Sequence, residues 1–271
     1  MVDKITGRFL QQYNVKNQDI FKSNTPDMYW LLGMMASDGC ITTTNRVTIS
    51  QSGDHGKRCI NKIKKMFDTD YPIYQRKPIK GNISYTLNIP SATIIHDLIA
   101  YNIIPRKTLT YTLPSTIPYN YLNKFIEGYI EGDGTVGVYK NNRNYSLLTI
   151  LVVGTKEFIT ELNDIVPVKG YITDIKHSSI YELRWTGKKA VLFGNWVYSD
   201  PVYSDSPKYN KYLNYINTIT PDYVKYDDIK KNVQSLLDDG FSPIHIATMV
   251  GIPFQTVYKW IKKGVILDNR C

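Results

Sequence analysis

The sequence predicts an α+β protein built from two pseudo-symmetric αββαββα halves and a small all-helical tail. Three observations carry this. A helical motif occurs twice, as LLGMMASDG at 31–39 and IEGYIEGDG at 126–134, 95 residues apart. Each copy is followed by the same order of strand-like and helix-like segments, the signature of a duplicated unit. Residues 221–271 then abandon the pattern for short amphipathic stretches punctuated by glycine.

The elements follow in order. Residues 1–26 are a lead-in without a motif. Thr25-Pro26 supplies an N-cap and a first-turn proline, so the first helix runs through Asp27–Ser37. CITTTNRVTISQSG reads as a strand pair around the turn TTTN, and HGKRCINKIKKMF as an amphipathic helix. A second strand pair, YPIYQRKPIKGNISYTLNIP, a helix, SATIIHDLIAYNI, and a lysine-bearing loop, PRKTL, complete the first half, 27–116. The second half, 117–220, repeats this. TVGVYKNNRNYSLLTILVVG is the first strand pair, KEFITELNDIV the helix and YITDIKHSSIYELRWTG the second pair. KKAVLFGNWVY and a loop, SPKYN, close it. Tyr85, Leu87 and Ile89 recur as Tyr181, Leu183 and Trp185 at a period of 96. In the tail, DIKKNVQSLLDD is a helix ended by Gly240. SPIHIATMVG starts at an N-cap Ser242, and PFQTVYKWIKKG is closed by Gly264. Ala247 and Val257 point inward between these two short helices, a helix-turn-helix arrangement in which Tyr258 and Trp260 serve packing.

Composition narrows the function. The chain has 271 residues, 33 Lys+Arg against 24 Asp+Glu for a net charge of +9, and 22 tyrosines. A basic, tyrosine-rich chain with enough apolar residues for a core suits a nucleic-acid binder. No apolar run approaches a membrane span, and MVDKITGRFLQQ lacks the apolar region of a secretory signal. Cys40, Cys59 and Cys271 are scattered and odd in number. The expectation is a reducing, DNA-containing compartment such as the cytoplasm, and neither a disulfide framework nor a zinc ribbon. His55, His96, His177 and His245 form no ligand pair.

The motif helices carry the chemistry. Gly33 and Ser37 are four apart, as are Gly128 and Gly132. Small residues at that spacing leave a flat stripe on which another helix backbone can rest. Two copies predict that the helices pack on each other about a pseudo-twofold axis. Asp38 and Asp133 end these helices, where the helix dipole disfavours a carboxylate. Side by side they also repel one another, and both costs are relieved by a cation. Oxygen donors with no nearby His or Cys favour Mg²⁺, with Mn²⁺ as a substitute.

These segments resemble the two signature motifs of single-chain LAGLIDADG homing endonucleases, and FKSNTPDMYWLLG resembles that family's lead-in to its first helix. The resemblance covers about residues 20–220. It implies curved antiparallel sheets that saddle duplex DNA, with Asp38 and Asp133 delivered to the scissile phosphates and the carbonyls of Gly39 and Gly134 as further metal ligands. It implies metal-dependent hydrolysis of both strands across the minor groove, leaving short 3′ overhangs. Lys107 and Lys208, 101 residues apart, match the family's basic position. There a lysine either stabilises transition-state charge or anchors a phosphate. Two departures stand out. The sixth motif position is Ala36 in one half and Glu131 in the other. The polar residue near the water, at the end of the second strand, maps to Gly53 and Gly154. The two sites are therefore expected to be unequal.

Strand alternation sorts the faces. Val47 and Ile49 face the helices, and Arg46, Thr48 and Ser50 face away. Ser84, Thr86 and Asn88 oppose Tyr85, Leu87 and Ile89; Glu182, Arg184 and Thr186 oppose Tyr181, Leu183 and Trp185. The polar sets suit base edges in a major groove. LLTILVV is apolar on both faces and less readable. The turns add Gln75, Arg76, Lys77, Lys140, Asn142 and Arg143 as DNA contacts, and the tail adds Gln255, Thr256 and Lys259. The reading is a monomeric, site-specific DNA endonuclease of a mobile element such as an intron, acting on double-stranded DNA without a membrane. Its rivals are a maturase binding host intron RNA and a non-cleaving transcription regulator on the same fold. The latter lacks a competent acidic pair.

Overall fold

The computed structural model describes residues 13–140, 146–175, 178–250, 252 and 254–266, apart from the side chains of 219–228. The first half comprises α1 (Pro26–Ser37), β1 (Gly39–Ile41), β2 (Val47–Ser52), α2 (Gly53–Met66), β3 (Ile73–Arg76), β4 (Ser84–Ile89) and α3 (Ala92–Ala100). The second comprises α4 (Tyr119–Asp133), β5 (Gly134–Lys140), β6 (Ser146–Gly154), α5 (Lys156–Ile165), β7 (Tyr171–Asp174), β8 (Tyr181–Thr186) and α6 (Lys188–Val197). Each half is αββαββα, and the antiparallel sheets run β1-β2-β4-β3 and β5-β6-β8-β7. Their registers coincide: Ile49 pairs with Leu87 as Val152 pairs with Leu183.

Local chemistry starts the helices where the sequence predicts. Thr25, Ser91 and Thr155 each accept the N–H three residues on, from Met28, Ile94 and Phe158, capping α1, α3 and α5. In each half the apolar face of the sheet is covered by helices. Val47, Ile49, Leu87 and Ile89 are buried, as are Cys59, Ile60 and Ile63 of α2. In the other half Leu148, Ile150, Val152, Leu183 and Trp185 are buried together with Phe158 and Leu162 of α5 and Phe193 of α6. The Trp185 and Phe193 rings stack at 3.6 Å.

The helices α1 and α4 join the two halves. Every residue of α1 from Met28 to Ala36 is buried, so neither sheet nor solvent claims a polar face. The two helices meet backbone to backbone. A methyl added at Gly33 would stand 2.0 Å from the Phe125 carbonyl oxygen, and one at Gly128 would stand 1.9 Å from that of Trp30. Only glycine permits this approach. Tyr29 stacks on Tyr121 at 4.8 Å beside the same seam.

The chain divides into two compact units, through Leu213 and from Asn214 onward, whereas the sequence pattern set the start of the tail at 221. SPKYN, expected as a loop, is the start of α7 (Pro207–Asp238), which also takes in the helix expected at 228–239. The reason is a cap: Ser206 Oγ accepts the N–H groups of Lys208 (3.1 Å) and Tyr209 (3.2 Å), and Pro207 has no N–H to satisfy. In the second unit, α8 (Pro243–Val250) and α9 (Phe254–Lys262) enclose a core of Val233, Leu237, Ile246, Ala247, Val257 and Ile266. Gly240 and Gly264 take positive φ (+86° and +62°), ending their helices as left-handed residues. Trp260 packs on this core, but Tyr258 does not: it is 55% exposed and lies against Phe254. Among the described residues no helix is long and apolar enough to cross a membrane.

Candidate functional site

The packed glycines bring the C-terminal ends of α1 and α4 together. Ser37 and Asp38 lie against Gly132: a methyl there would be 2.1 Å from Ser37 Oγ and 2.8 Å from Asp38 Oδ2. Asp38 and Asp133 thus sit beside one another at the base of both sheets. Each helix gives way there to an edge strand, at Gly39 and Gly134. Burial pushes the Asp38 carboxyl up to about 6, and the charge of Asp133 adds to the shift. Lys208, the Gln51 amide and Lys107 act in the opposite direction. Asp133 is also raised by burial, and Lys107 and then Lys208 oppose it.

The two lysines are held differently. Lys107 lies in a 3-10 turn, Lys107–Leu109, following Arg106, whose φ is +60°. Its Nζ is buried and donates to the Ser37 carbonyl at 3.1 Å. Lys208, in the first turn of α7, donates to the carbonyls of Ile130 (2.8 Å), Glu131 (2.7 Å) and Gly132 (3.0 Å). An ammonium has three protons, so these three bonds use them all, while Lys107 keeps donors in reserve. Each lysine neutralises the carbonyl end of the helix that bears an aspartate. Burial lowers both lysines' pKa values, and the neighbouring carboxylates restrain the fall.

Glu131 turns away from the aspartates. It is buried, its carboxylate meets His55 Nε2 of α2 at 2.5 Å, and Ser206 Oγ donates to its other oxygen. His55 also stacks on Tyr203 at 5.6 Å. This cluster links the first half's α2 to the second half's α4. Ala36, also buried, stands at the matching place in α1.

The register corrects one sequence expectation. Gln51 pairs with Tyr85 as Gly154 pairs with Tyr181, so the strand-end position facing the carboxylates is Gln51 rather than Gly53. Gln51 Nε2 donates to Asp38 Oδ2. The missed signal is the strand's end: Gln51 is the last residue of β2 in phase with the inward Val47 and Ile49, whereas Gly53 has a positive φ of +75° and already starts α2. In the second half the place is Gly154, where a methyl would meet the Phe158 ring at 2.7 Å and the Tyr129 hydroxyl at 3.2 Å.

On the face of the first sheet away from the helices lie Thr48, Ser50, Ser84, Thr86 and Asn88, all half-buried. Thr48 donates to Asn88 at 2.6 Å, and Ser50 and Thr86 share a hydrogen bond at 2.7 Å. Gln75 and Arg76 are on β3 and not in a turn, since the chain pairs with β4 through Arg76↔Ser84. Arg76 therefore shares the polar face, while Gln75, opposite Tyr85, points to the other side. Arg46 is exposed just ahead of β2, where its N–H donates to Thr42 Oγ1 at 3.1 Å, and Lys77 is exposed after β3. In the second sheet Arg184 Nε donates to Glu182 Oε1 at 2.6 Å, and Thr186 pairs with Thr149. Lys140 ends β5 opposite Ser146 instead of lying in the turn. Asn142 and Arg143 lie outside the described residues. In the second unit Gln255, Thr256 and Lys259 border an open groove with Lys230, Trp260 and Lys263.

No family model matches the sequence, and no curated protein sequence matches it. Solved structures do. The meganuclease I-SmaMI bound to uncleavable DNA superposes with a TM-score of 0.51 at 10% identity, covering 73% of this chain and 92% of that one. The LAGLIDADG homing endonuclease I-LtrWI bound to target DNA superposes at 0.50 and 11% identity, covering 76% and 92%. Paired glycine-seamed helices, an aspartate at the end of each and a four-stranded sheet on either side make this the fold of the LAGLIDADG homing endonucleases.

Proposed function

We propose that this protein is a site-specific DNA endonuclease that makes a divalent-metal-dependent double-strand break. The observation that carries the reading is the pair Asp38 and Asp133 at adjacent helix ends, beside the buried Lys107 and the half-buried Lys208, between two sheets whose outer faces are basic-flanked. The donor set fits Mg²⁺ or Mn²⁺: hard oxygens, mutual repulsion that a cation removes, and exposed edges that leave room for water. Asp38 and Asp133 would hold the ion, with the Gly39 and Gly134 carbonyls as candidate ligands. A bound divalent ion would activate water and stabilise the leaving oxygen. Gln51 orients Asp38, Lys208 and Lys107 secure the helix ends, and Lys107 has protons left for a phosphate oxygen.

One chain supplies both halves, so the enzyme acts as a monomer on double-stranded DNA. The hydroxyl and amide face of the first sheet, with Arg76, contacts base edges, and Arg46, Lys77 and Lys140 contact phosphates. The second unit is a helix-turn-helix that lengthens the site, with Gln255, Thr256 and Lys259 at the DNA. Retention of both aspartates favours cleavage over the regulator reading. The test is cleavage of a plasmid library carrying randomised targets, with Mg²⁺ or EDTA, by wild type and Asp38→Asn/Asp133→Asn. Mg²⁺-dependent breaks with short 3′ overhangs, absent from the variant, support the reading. Tight DNA binding without any cut overturns it.

A further inference from the structure

The two outward sheet faces have matching register and differ in chemistry along their central strands β2 and β6. By register Leu151 occupies the place of Thr48, and Val153 that of Ser50. The second sheet therefore turns Leu147, Leu151 and Val153 outward where the first turns hydroxyls. Tyr139 joins them: its ring lies over Gly137, where a methyl would come within 2.7 Å of it, so the ring spreads along β5, 54% exposed. An antiparallel sheet with one solvated face normally keeps that face polar. Tyr139, Leu147, Thr149 and Leu151 instead line an open groove with Lys140, Thr186 and Arg184, which pairs with Leu151 and bonds Glu182 on the same face.

Lys140 and Arg184 suit a polyanion, and the apolar side chains beside them suit one that presents methyl groups. In the DNA major groove the thymine 5-methyl is that group; every other feature of the base edges is a donor or acceptor. Resting on the endonuclease reading above, we propose that the second half recognises thymines by their methyl groups through Leu147, Leu151, Val153 and Tyr139, while the first half reads its half-site by hydrogen bonds. The target is thus chemically two-sided: thymine-rich under the second sheet, without that bias under the first.

The test uses the full chain in EDTA, so that nothing is cut. Duplexes are selected from a random library, and thymines of the selected site are then replaced by deoxyuridine, one half-site at a time. Losing one buried methyl costs about fourfold in affinity. The expected result is a loss of about fourfold per contacted thymine, confined to one half-site. Leu147→Thr/Leu151→Thr, on the outer face, reduces that half-site's thymine preference and its sensitivity to uridine. Recovery of a defined duplex with no uridine effect, or with equal effects in both half-sites, overturns the methyl proposal and leaves the endonuclease reading standing. Recovery of no duplex overturns both.

Discussion

Gly128→Ala tests the helix seam on which the candidate site depends. The new methyl would stand 1.9 Å from the Trp30 carbonyl oxygen, 2.8 Å from its carbon and 3.1 Å from the Met34 nitrogen. All three are backbone atoms of α1, whose residues 28–36 are buried on every side, so no rotamer change relieves the clash. The helices must part by about 1 Å or more. Overpacking of this kind costs about 3 kcal/mol, the upper end of the usual range. Alanine returns about 1 kcal/mol in helix propensity. The net loss is about 2 kcal/mol, and in a unit of this size that lowers Tm by roughly 4–8 °C. Calorimetry and guanidinium unfolding measure it. Gly132→Ala is the comparison: its nearest contacts are side-chain atoms, Ser37 Oγ at 2.1 Å, which can rotate away, and Ser37 Cβ at 2.7 Å, which cannot, so the loss should be smaller than against three backbone atoms. A Gly128→Ala protein as stable as wild type would refute the backbone-contact account of the seam.

Lys208→Met removes three carbonyl bonds and Lys107→Met one, so the former should lose about 1–2 kcal/mol more stability by thermal melting; equal losses would argue against the capping role. Glu127 is buried and accepts from Val202 and Tyr203, and burial raises its carboxyl to about 7. A carboxyl raised on folding contributes stability that is complete below the unfolded value of 4.5 and is lost as pH rises through about 7. That contribution is on the order of 3 kcal/mol, and Glu127→Gln should flatten the pH dependence of unfolding between about 4.5 and 7; an unchanged slope would assign it to other groups. Gln51→Ala should slow the cutting of one labelled strand more than the other, because Gly154 offers no equivalent amide; identical slowing of both would sink the asymmetry.

The αββαββα order was legible because its signals are local. Thr25, Ser91 and Thr155 cap their helices within three residues, and alternation in VTIS and YTLNI separates inside from outside within a single strand. The duplication displayed the aspartates, since a motif recurring at fixed spacing does not depend on knowing the contacts. Even the start of α7 was written locally, in Ser206-Pro207; reading that stretch as a loop overlooked a capping signal.

What needed the tertiary structure was every contact between distant segments. The bond from Gln51 to Asp38 depends on where β2 ends beside the end of α1. Arg76 and Gln75 are neighbours in sequence, yet only pairing with β4 assigns them to opposite faces. Glu131 and His55 meet across 76 residues. Lys208 spends its three protons on α4 while Lys107 spends one on α1. Propensity and pattern are properties of a few consecutive residues, and they determined the elements, the duplication and the acidic pair. Which donor meets which acceptor is set by how two glycine-seamed helices dock and by strand register, and so the different contacts made in the two halves were decided by packing alone.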